Sequence, residues 1–470
     1  MNRLFILGAL CLFAASLPAA ESGDVGKDSP SRISDERKEL VPSEVPDRPP
    51  PLIEIGDPFL DTGEVSEGFR GPTGAIWRPR LLVFGDFRAS HGFWGRNRVD
   101  SSETILDLPL FANLYLTATE RILFGINPLG RDAKFTGRRY QPFDDSFEQF
   151  NAEVDTLFFE GDLPELFPSA ESLRGTMLDL GFSVGRQLVG PEFNDGFLIN
   201  DRLDAFGLVR KSSPTGSLSH YRVAAIAAWA DLHRGGNRQL DESGQLFGLL
   251  TSYDFHIRGG GLNFSTTIDL DLVYVNAPED TGDGFYAAVS AAQRFSTGLG
   301  KLNTTFRFAA SIAAENETAA VRDGSLFFFE SSLTPHGSKN ILYFNGYIAE
   351  GEFSSAARDP RFGGVLGPVG VAFADIGLGA FPSALSSNPA NSVGGALGWQ
   401  IFNEDKRRNL VLELAARAPN DEVNEGTLAV VTRFQQAFWT RIVWRVDGYG
   451  ALPHGDSARW GVRSELQVKF

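Results

Sequence analysis

The side chains in this chain that could do chemistry are arginines and carboxylates that recur at every second position of alternating runs. Alternate side chains of a β-strand point to the same face, so these groups are expected to share one face. A guanidinium stays charged and binds a carboxylate or phosphate through two parallel hydrogen bonds, which favours anion contact. The arginines so placed are Arg222, Arg307, Arg417, Arg433, Arg441, Arg445, Arg459 and Arg463. The carboxylates so placed are Asp204, Asp254, Asp269, Asp271 and Glu413.

Signals for catalysis and metal binding are weak by comparison. The six histidines are scattered, and none has the spacing of a shared metal site. No Gly-x-Ser-x-Gly elbow precedes a predicted helix, and the glycines at 259–261 do not join a strand to a helix, where they would hold a phosphate. We therefore predict that the protein is not an enzyme and has no catalytic residue, cofactor or metal site. A membrane-embedded hydrolase that uses Ser, His and an acid remains an alternative.

Long alternating strands are the elements that must carry the charged face. Between Leu106 and Ala118, apolar side chains occupy every second position, and a period of two held for that long cannot be helical. The run also exceeds the roughly 9–11 residues with which a strand spans a bilayer. Similar runs cover Leu262–Tyr274 and Leu302–Ile312. The pattern predicts an all-β fold: a transmembrane antiparallel β-barrel of about 18 strands over residues 78–470, an even number as in bacterial barrels.

The connections between the predicted strands alternate in length. Tight turns follow Ser296 and Asn403, whereas long polar loops begin at Asp231 and Asn276. Short periplasmic turns alternating with long external loops are typical of outer-membrane barrels, and a soluble β-sandwich has no reason to produce them. The connection over residues 161–175 breaks the rule, which leaves a small periplasmic helix or a misplaced strand boundary as alternatives.

The last stretch, Arg459 to Phe470, has the features of a closing strand. Trp460, Val462 and Leu466 fall on one face and charged residues on the other, and the chain ends on an aromatic residue. We predict that this strand pairs with the first to close the barrel. Phe470 is then the signal by which the barrel assembly machinery recognises the chain. Taken alone, the same stretch also fits an amphipathic strand of a soluble β-sandwich.

The first 77 residues differ from the rest in composition. Residues 1–20 have a basic residue, an apolar run and then small residues, which is the order of a secretory signal peptide. The only cysteine, Cys11, lies in this segment, so the mature chain has no thiol. Residues 21–77 are charged and rich in proline, which predicts an extended or disordered periplasmic arm. A plug folded into the barrel lumen is the alternative for this arm.

The longest connection runs from about Gly351 to Ser392 and is dense in Gly, Ala, Ser and Pro. A loop of this length in a compact protein is usually functional or disordered. Its stretch GGVLGPVGVAFADIGLGAF is too apolar to be left in water, so we expect it to fold into the pore as a constriction or to cap the pore from outside. The formal net charge of −16 excludes nucleic acid as an expected partner.

A further pattern lies between Gly181 and Leu208, which reads GFSVGRQLVGPEFNDGFLINDRLDAFGL. A strand ending in Gly-Arg-Gln, then a short loop, Leu-Ile-Asn-Asp and a following Asp-Ala resembles the alginate-export type of outer-membrane porins. The resemblance implies a single-chain barrel of eighteen strands that passes anionic polysaccharide through an Arg/Lys-rich pore. The residues that match the family pattern are Gly185, Arg186, Gln187, Asp201 and Asp204.

These observations predict a protein of the cell outer membrane, surrounded by its lipid. Rings of charge set the selectivity of a pore. We therefore expect a porin or exporter with passive, anion-preferring passage of small solutes or acidic saccharides. Two alternatives remain: the charges pair across strands and only fill a solvated lumen, or the barrel does not conduct and acts as a binding or scaffold protein.

Overall fold

The structure is a computed structural model, and it describes most of the chain beyond the N-terminal segment. The described residues are 49–57, 66–96, 98–131, 133–176, 178–190, 194–211, 218–235, 239–259, 262–278, 281–420 and 425–470. The predicted signal peptide and much of the predicted arm, residues 1–48 and 58–65, lie outside them.

Within the described residues, eighteen antiparallel strands form one closed barrel, as the alternating pattern predicts. Each strand pairs with its neighbours in the chain, and β18 pairs with β1 to close the sheet. In chain order the strands are β1 (Arg80–Arg96), β2 (Val99–Asp107 with Leu110–Tyr115), β3 (Arg121–Ile126 with Lys134–Gln141), β4 (Asp145–Phe147 with Val154–Asp162), β5 (Leu180–Val189), β6 (Ile199–Lys211), β7 (Leu218–Ala228), β8 (Gln245–Gly259), β9 (Leu262–Asn276), β10 (Gly284–Thr297), β11 (Gly300–Ala313), β12 (Gly324–Pro335), β13 (Ile341–Gly351), β14 (Ser392–Phe402), β15 (Arg408–Pro419), β16 (Thr427–Phe438), β17 (Ile442–Pro453) and β18 (Arg459–Lys469).

Several shorter elements accompany the strands of the wall. A three-residue strand of the arm, Ile53–Ile55, pairs with β1 and is here named the arm strand. Among the described residues, no helix is long and apolar enough to cross a membrane. The remaining short strands are Phe69–Arg70, Ile76–Trp77, Gly130–Arg131, Leu232–Arg234, Gln239–Asp241 and Ala357–Arg358. The short helices are Leu163–Leu166, Pro168–Leu173, Asn194–Gly196, Pro360–Phe362 and Gly367–Val369.

The connections alternate in length along most of the barrel. Turns such as 298–299 and 403–407 lie at one end, and the loops after β7, β9 and β13 lie at the other. By the rule for outer-membrane barrels, the end with the turns faces the periplasm. The irregular connection after β4 contains the helix Leu163–Leu166, as one of its two interpretations predicts. The first external connection is short because β1 extends to Arg96 and β2 begins at Val99.

Alternation along each strand separates an apolar outer face from a polar inner face. On β18, Trp460, Val462 and Leu466 are 44–50% exposed, whereas Arg463 and Glu465 are 1% and 4% exposed. The same contrast recurs on β15, whose outward leucines flank an inward carboxylate. The outward apolar side chains have no protein to pack against, so in the membrane they contact lipid.

A charge on the outer face tests this assignment. Leu414 is 48% exposed near the middle of β15. We expect Leu414→Arg to destabilise the barrel by about 2–4 kcal/mol, because the guanidinium would enter the hydrocarbon core. Urea unfolding of the barrel in phospholipid vesicles measures this, with Leu414→Ile as the control of little effect. Equal stability of the two variants would show that Leu414 does not face lipid.

Candidate functional site: the barrel lumen and the loop that crosses it

The long connection between β13 and β14, residues 352–391, folds inside the barrel and is named the lumen loop. Its backbone is held by an inward carboxylate of β15. The N–H groups of Val371 and Ala372 donate to Glu413 at 2.8 and 2.7 Å, and Glu413 is 3% exposed. On β13, the Asn345 amide donates to the carbonyl of Val369 at 3.0 Å. Of the two predicted arrangements, the structure therefore has the loop inside the lumen.

The lumen loop also reaches the side of the barrel where β18 pairs with β1, a junction named here the seam. Phe381 packs edge-on against Trp94 of β1 and Tyr449 of β17, with ring centroids 5.8 Å apart in both pairs. The neighbouring N–H of Ala380 donates to Glu103, a buried carboxylate on β2. These contacts fix the second half of the loop against the inner faces of three more strands.

The first half of the lumen loop is anchored to β6. Ala357 and Arg358 pair in parallel with Ile199 and Asn200, and the N–H of Asp359 donates to the carbonyl of Asn200 at 2.9 Å. In a barrel of eighteen strands, β6 and β15 lie nine strands apart, so they belong to opposite walls. The loop therefore crosses the lumen.

A cluster of four charged groups secures the loop at the β6 anchor. Asp359 is 1% exposed and accepts from Arg361 at 2.9 Å, with Arg202 of β6 at 3.6 Å. Both arginines also contact Asp155 of β4, at 3.1 and 2.8 Å. Burial raises the pKa of Asp359 to about 7, against the lowering effect of Arg202. The anchor therefore contains a carboxyl group whose charge changes near neutral pH.

Residues 194–198, in the connection between β5 and β6, also turn inward. Arg307 of β11 is 2% exposed, donates to Asn194 at 2.8 Å and pairs with Asp195. Its guanidinium lies 4.5 Å from the ring centre of Phe197, and it reaches Glu330 at 3.2 Å. Arg307, predicted to line the pore, is thus buried in contacts that hold this connection in place.

The predicted arginines on the last strands form a network with inward carboxylates. Arg433 pairs with Asp447 at 2.6 Å. Arg463 contacts the same Asp447 at 3.3 Å and also pairs with Glu465. Arg88 of β1, which the sequence analysis did not select, donates to Glu465 at 2.7 Å across the seam. Arg88 lies four residues before Gly92, which is on the inner face, so the alternation along β1 could have placed Arg88 on the inner face as well.

Exposure separates the members of this network. Arg463 is 1% exposed and is paired with Asp447 and Glu465, so its charge stabilises the wall and does not face the solvent of the lumen. The side chains of Arg433 and Arg88 are 21% exposed, and that of Arg445 is 27% exposed. Arg433 and Arg88 each have a carboxylate within 2.7 Å, whereas the nearest carboxylate to Arg445 is Glu465 at 3.7 Å. Among these arginines, Arg445 is therefore the best placed to contact a solute.

Other predicted lumen residues lie apart from this network. Arg417 donates to the carbonyl of Asn388 in the lumen loop at 3.1 Å. Arg459 reaches Asp456 in the external connection before β18 at 3.4 Å.

The inward carboxylates of β8 and β9 lie on a different part of the wall. Asp254 accepts from Thr267 at 2.7 Å, and Asp269 accepts from Ser290 at 2.7 Å. Asp271 is 1% exposed and borders a small internal cavity with Arg222 and Asp269. This acidic side belongs to the middle strands, and the arginine network belongs to the last ones.

Two predicted placements need correction. Asp204 points outward, on the same face of β6 as the exposed Phe206, and it pairs with the outward Arg186 at 2.8 Å. The parity of β6 is set by the fully buried Leu203 and Ala205, which take the inner face. Arg441 lies in the turn between β16 and β17 and is on neither strand.

Loss of the carboxylate at Glu413 should release the lumen loop. Hydrogen bonds to a charged group contribute about 1.5–3 kcal/mol each, and Glu413→Ala removes two from the loop backbone. The population of undocked loop should then rise tenfold or more, at about 1.4 kcal/mol per factor of ten. Limited proteolysis of residues 352–391 measures this, with Glu404→Gln in an exposed turn as the control. A loop that is cut no faster in Glu413→Ala would contradict this role for the carboxylate.

Docking of the lumen loop should also depend on pH through Asp359. A free aspartate has a pKa of about 3.9, and that of docked Asp359 is raised to about 7. Between these values the docked loop holds a proton that the undocked loop lacks, so acidification stabilises docking and a rise in pH weakens it. Proteolysis of the loop should be faster at pH 8 than at pH 5. Asp359→Asn should reduce this difference, and an unchanged difference would assign it to another group.

Comparison with known proteins supports the fold. No protein-family model matches the sequence, and no curated protein matches it. Solved structures do match, among them OccK5 (OpdH) of Pseudomonas aeruginosa, at 11% identity over 83% of this chain and 98% of that chain, with a TM-score of 0.54. OccK2 (OpdF) of the same organism matches at 11% identity over 83% and 97%, with a TM-score of 0.52. At such low identity the likeness shows a shared fold alone, the closed antiparallel barrel of these outer-membrane porins. The predicted outer-membrane location rests on the apolar outer face of the barrel.

Proposed function

We propose that this barrel is a passive outer-membrane porin or exporter that prefers small anionic solutes, including acidic saccharides. The observation that carries the proposal is the position of the lumen loop relative to the arginine network. Phe381 of the loop lines one small cavity together with Arg433, Asp447 and Tyr449 of the wall. A solute that passes the loop on this side meets the charged wall.

The chemistry of the network supports an anion preference. Arg445 keeps a 27% exposed side chain and a carboxylate no closer than 3.7 Å. Its Nε and Nη2 atoms donate to the amide oxygen of Gln435 at 2.9 Å. A guanidinium at the water-filled side of a wall can exchange such a neutral partner for a two-pronged contact to a carboxylate or phosphate. The acidic net charge of the chain does not oppose this, because selectivity depends on the charges beside the pore.

The class of solute is supported by one structural neighbour. OccK2 (OpdF), which is 12% identical with a TM-score of 0.50 over 83% of this chain and 98% of that chain, was crystallised in complex with glucuronate. Glucuronate is a sugar carboxylate, and alginate is a polymer of such uronic acids. The proposal therefore includes both the small uronate and its polymer, which share the group that an arginine binds.

A non-conducting barrel that serves as a binding or scaffold protein is the second candidate. It is favoured by the two connections that turn inward, since both the lumen loop and the segment held by Arg307 occupy the interior. Recording from the purified barrel in a planar bilayer separates the candidates. Steady current supports the porin, and a tight barrel without current supports the scaffold.

Selectivity is tested by reversal potentials in a salt gradient. We expect the wild type to prefer anions, and Arg445→Gln to shift the reversal potential toward zero because it removes the most exposed charge of the network. Arg441→Gln is the matched control, since Arg441 lies in an exposed turn, and it should behave as the wild type. Cation preference in the wild type would contradict the proposed selectivity.

The same recordings test the solute class. Glucuronate added to one side should reduce the current more than glucose at equal concentration, and the difference should shrink in Arg445→Gln. Uronate oligomers distinguish the monomer from the polymer as cargo. Equal effects of glucuronate and glucose would rule out carboxylate recognition.

A further inference from the structure

The seam of the barrel contains three segments of chain rather than two. β1 has 17 residues and β18 has 11, so β18 cannot cover the whole edge of β1. Pairing between them ends with Lys469 opposite Asp86. Phe470 then exchanges two backbone hydrogen bonds with Gly85, at 3.0 and 2.8 Å. The edge of β1 over residues 80–84 continues beyond the reach of β18.

The arm strand takes up this remaining edge. Ile53 pairs with Val83 and Ile55 with Leu81, antiparallel to β1. The N–H of Leu52 donates to the carbonyl of Val83 at 2.8 Å. The arm strand and the end of β18 therefore lie end to end along one edge, with Gly85 bound to Phe470 and Val83 bound to the arm.

The arm strand also follows the alternation of the wall. Ile53 and Ile55 are 46% and 58% exposed and lie opposite the outward Val83 and Leu81. Glu54 lies between them, opposite the inward Leu82, which is 6% exposed. The segment thus presents two apolar side chains to the membrane side and an acid to the lumen side, as a strand of the barrel does.

We propose that the edge of β1 over residues 80–84 is a binding site for an extended peptide with alternating apolar and acidic residues. The site is occupied by the chain's own segment 51–55, which pairs with β1 beside Phe470 and so extends the seam. An uncovered strand edge offers a row of backbone donors and acceptors, and an added strand satisfies them through main-chain hydrogen bonds. This role is independent of whether the barrel conducts.

Cysteine cross-linking tests the occupant and its register. Cys11 is the chain's only cysteine, in the predicted signal peptide, so introduced pairs are unambiguous. Ile53→Cys with Val83→Cys should cross-link within one chain on mild oxidation of the folded barrel. Ile53→Cys with Leu82→Cys is the control, because Leu82 points to the opposite face, and it should not cross-link. Equal yields from both pairs, or a bond between two chains, would overturn the proposal.

Binding in trans tests the site itself. A barrel lacking residues 49–57, folded in detergent, should bind a fluorescent peptide of sequence PPPLIEIGD at least tenfold more tightly than the full chain, whose edge is already occupied. The same peptide with both isoleucines changed to aspartate should not bind. If the shortened barrel does not assemble, the full chain with Ile53→Asp and Ile55→Asp replaces it. Equal binding to the full chain and to the opened variant would overturn the site.

Discussion

The requirement that every backbone polar group in the membrane be paired is the constraint on which this structure depends. Lipid supplies no hydrogen bonds, so a sheet can cross it only when its first and last strands meet. Here β18 meets β1 along ten residues, and Phe470 completes the contact at Gly85. Closure also gives the sheet one face toward lipid and one toward the lumen. Because successive side chains of a strand point to opposite faces, each side chain then lies on one or the other.

Closure creates a second constraint inside the barrel, where charges must be compensated. An arginine as enclosed as Arg463 is tolerated only with carboxylates against it, and Asp447 and Glu465 supply them. The arginines of the last strands therefore do not act as a uniform basic surface. The number of arginines on the inner face is a poor guide to selectivity, and the exposure of each one, greatest within the arginine network for Arg445, is a better guide.

The sequence predicted the antiparallel barrel and its eighteen strands because alternation over ten or more residues leaves a strong signal. The sequence was less reliable for single residues, whose face or element depends on only a few neighbouring positions. β6 has apolar residues on both faces, with Leu203 buried and Phe206 exposed, so the face of Asp204 could not be read from hydrophobicity. Arg441 was assigned to a strand because a turn of three residues barely interrupts a period of two.

The path of the lumen loop could not be predicted, because its contacts join residues far apart in sequence and follow no period. Its composition nevertheless has a physical explanation. A Cβ atom on Gly370 would lie 2.4 Å from a carboxylate oxygen of Glu413, and one on Gly379 would lie 2.4 Å from a carboxylate oxygen of Glu103. Gly379 also has a φ of 76°, a conformation that favours glycine. The loop lacks side chains at the points where its backbone must reach the wall. These glycines are therefore required to hold the loop across the lumen.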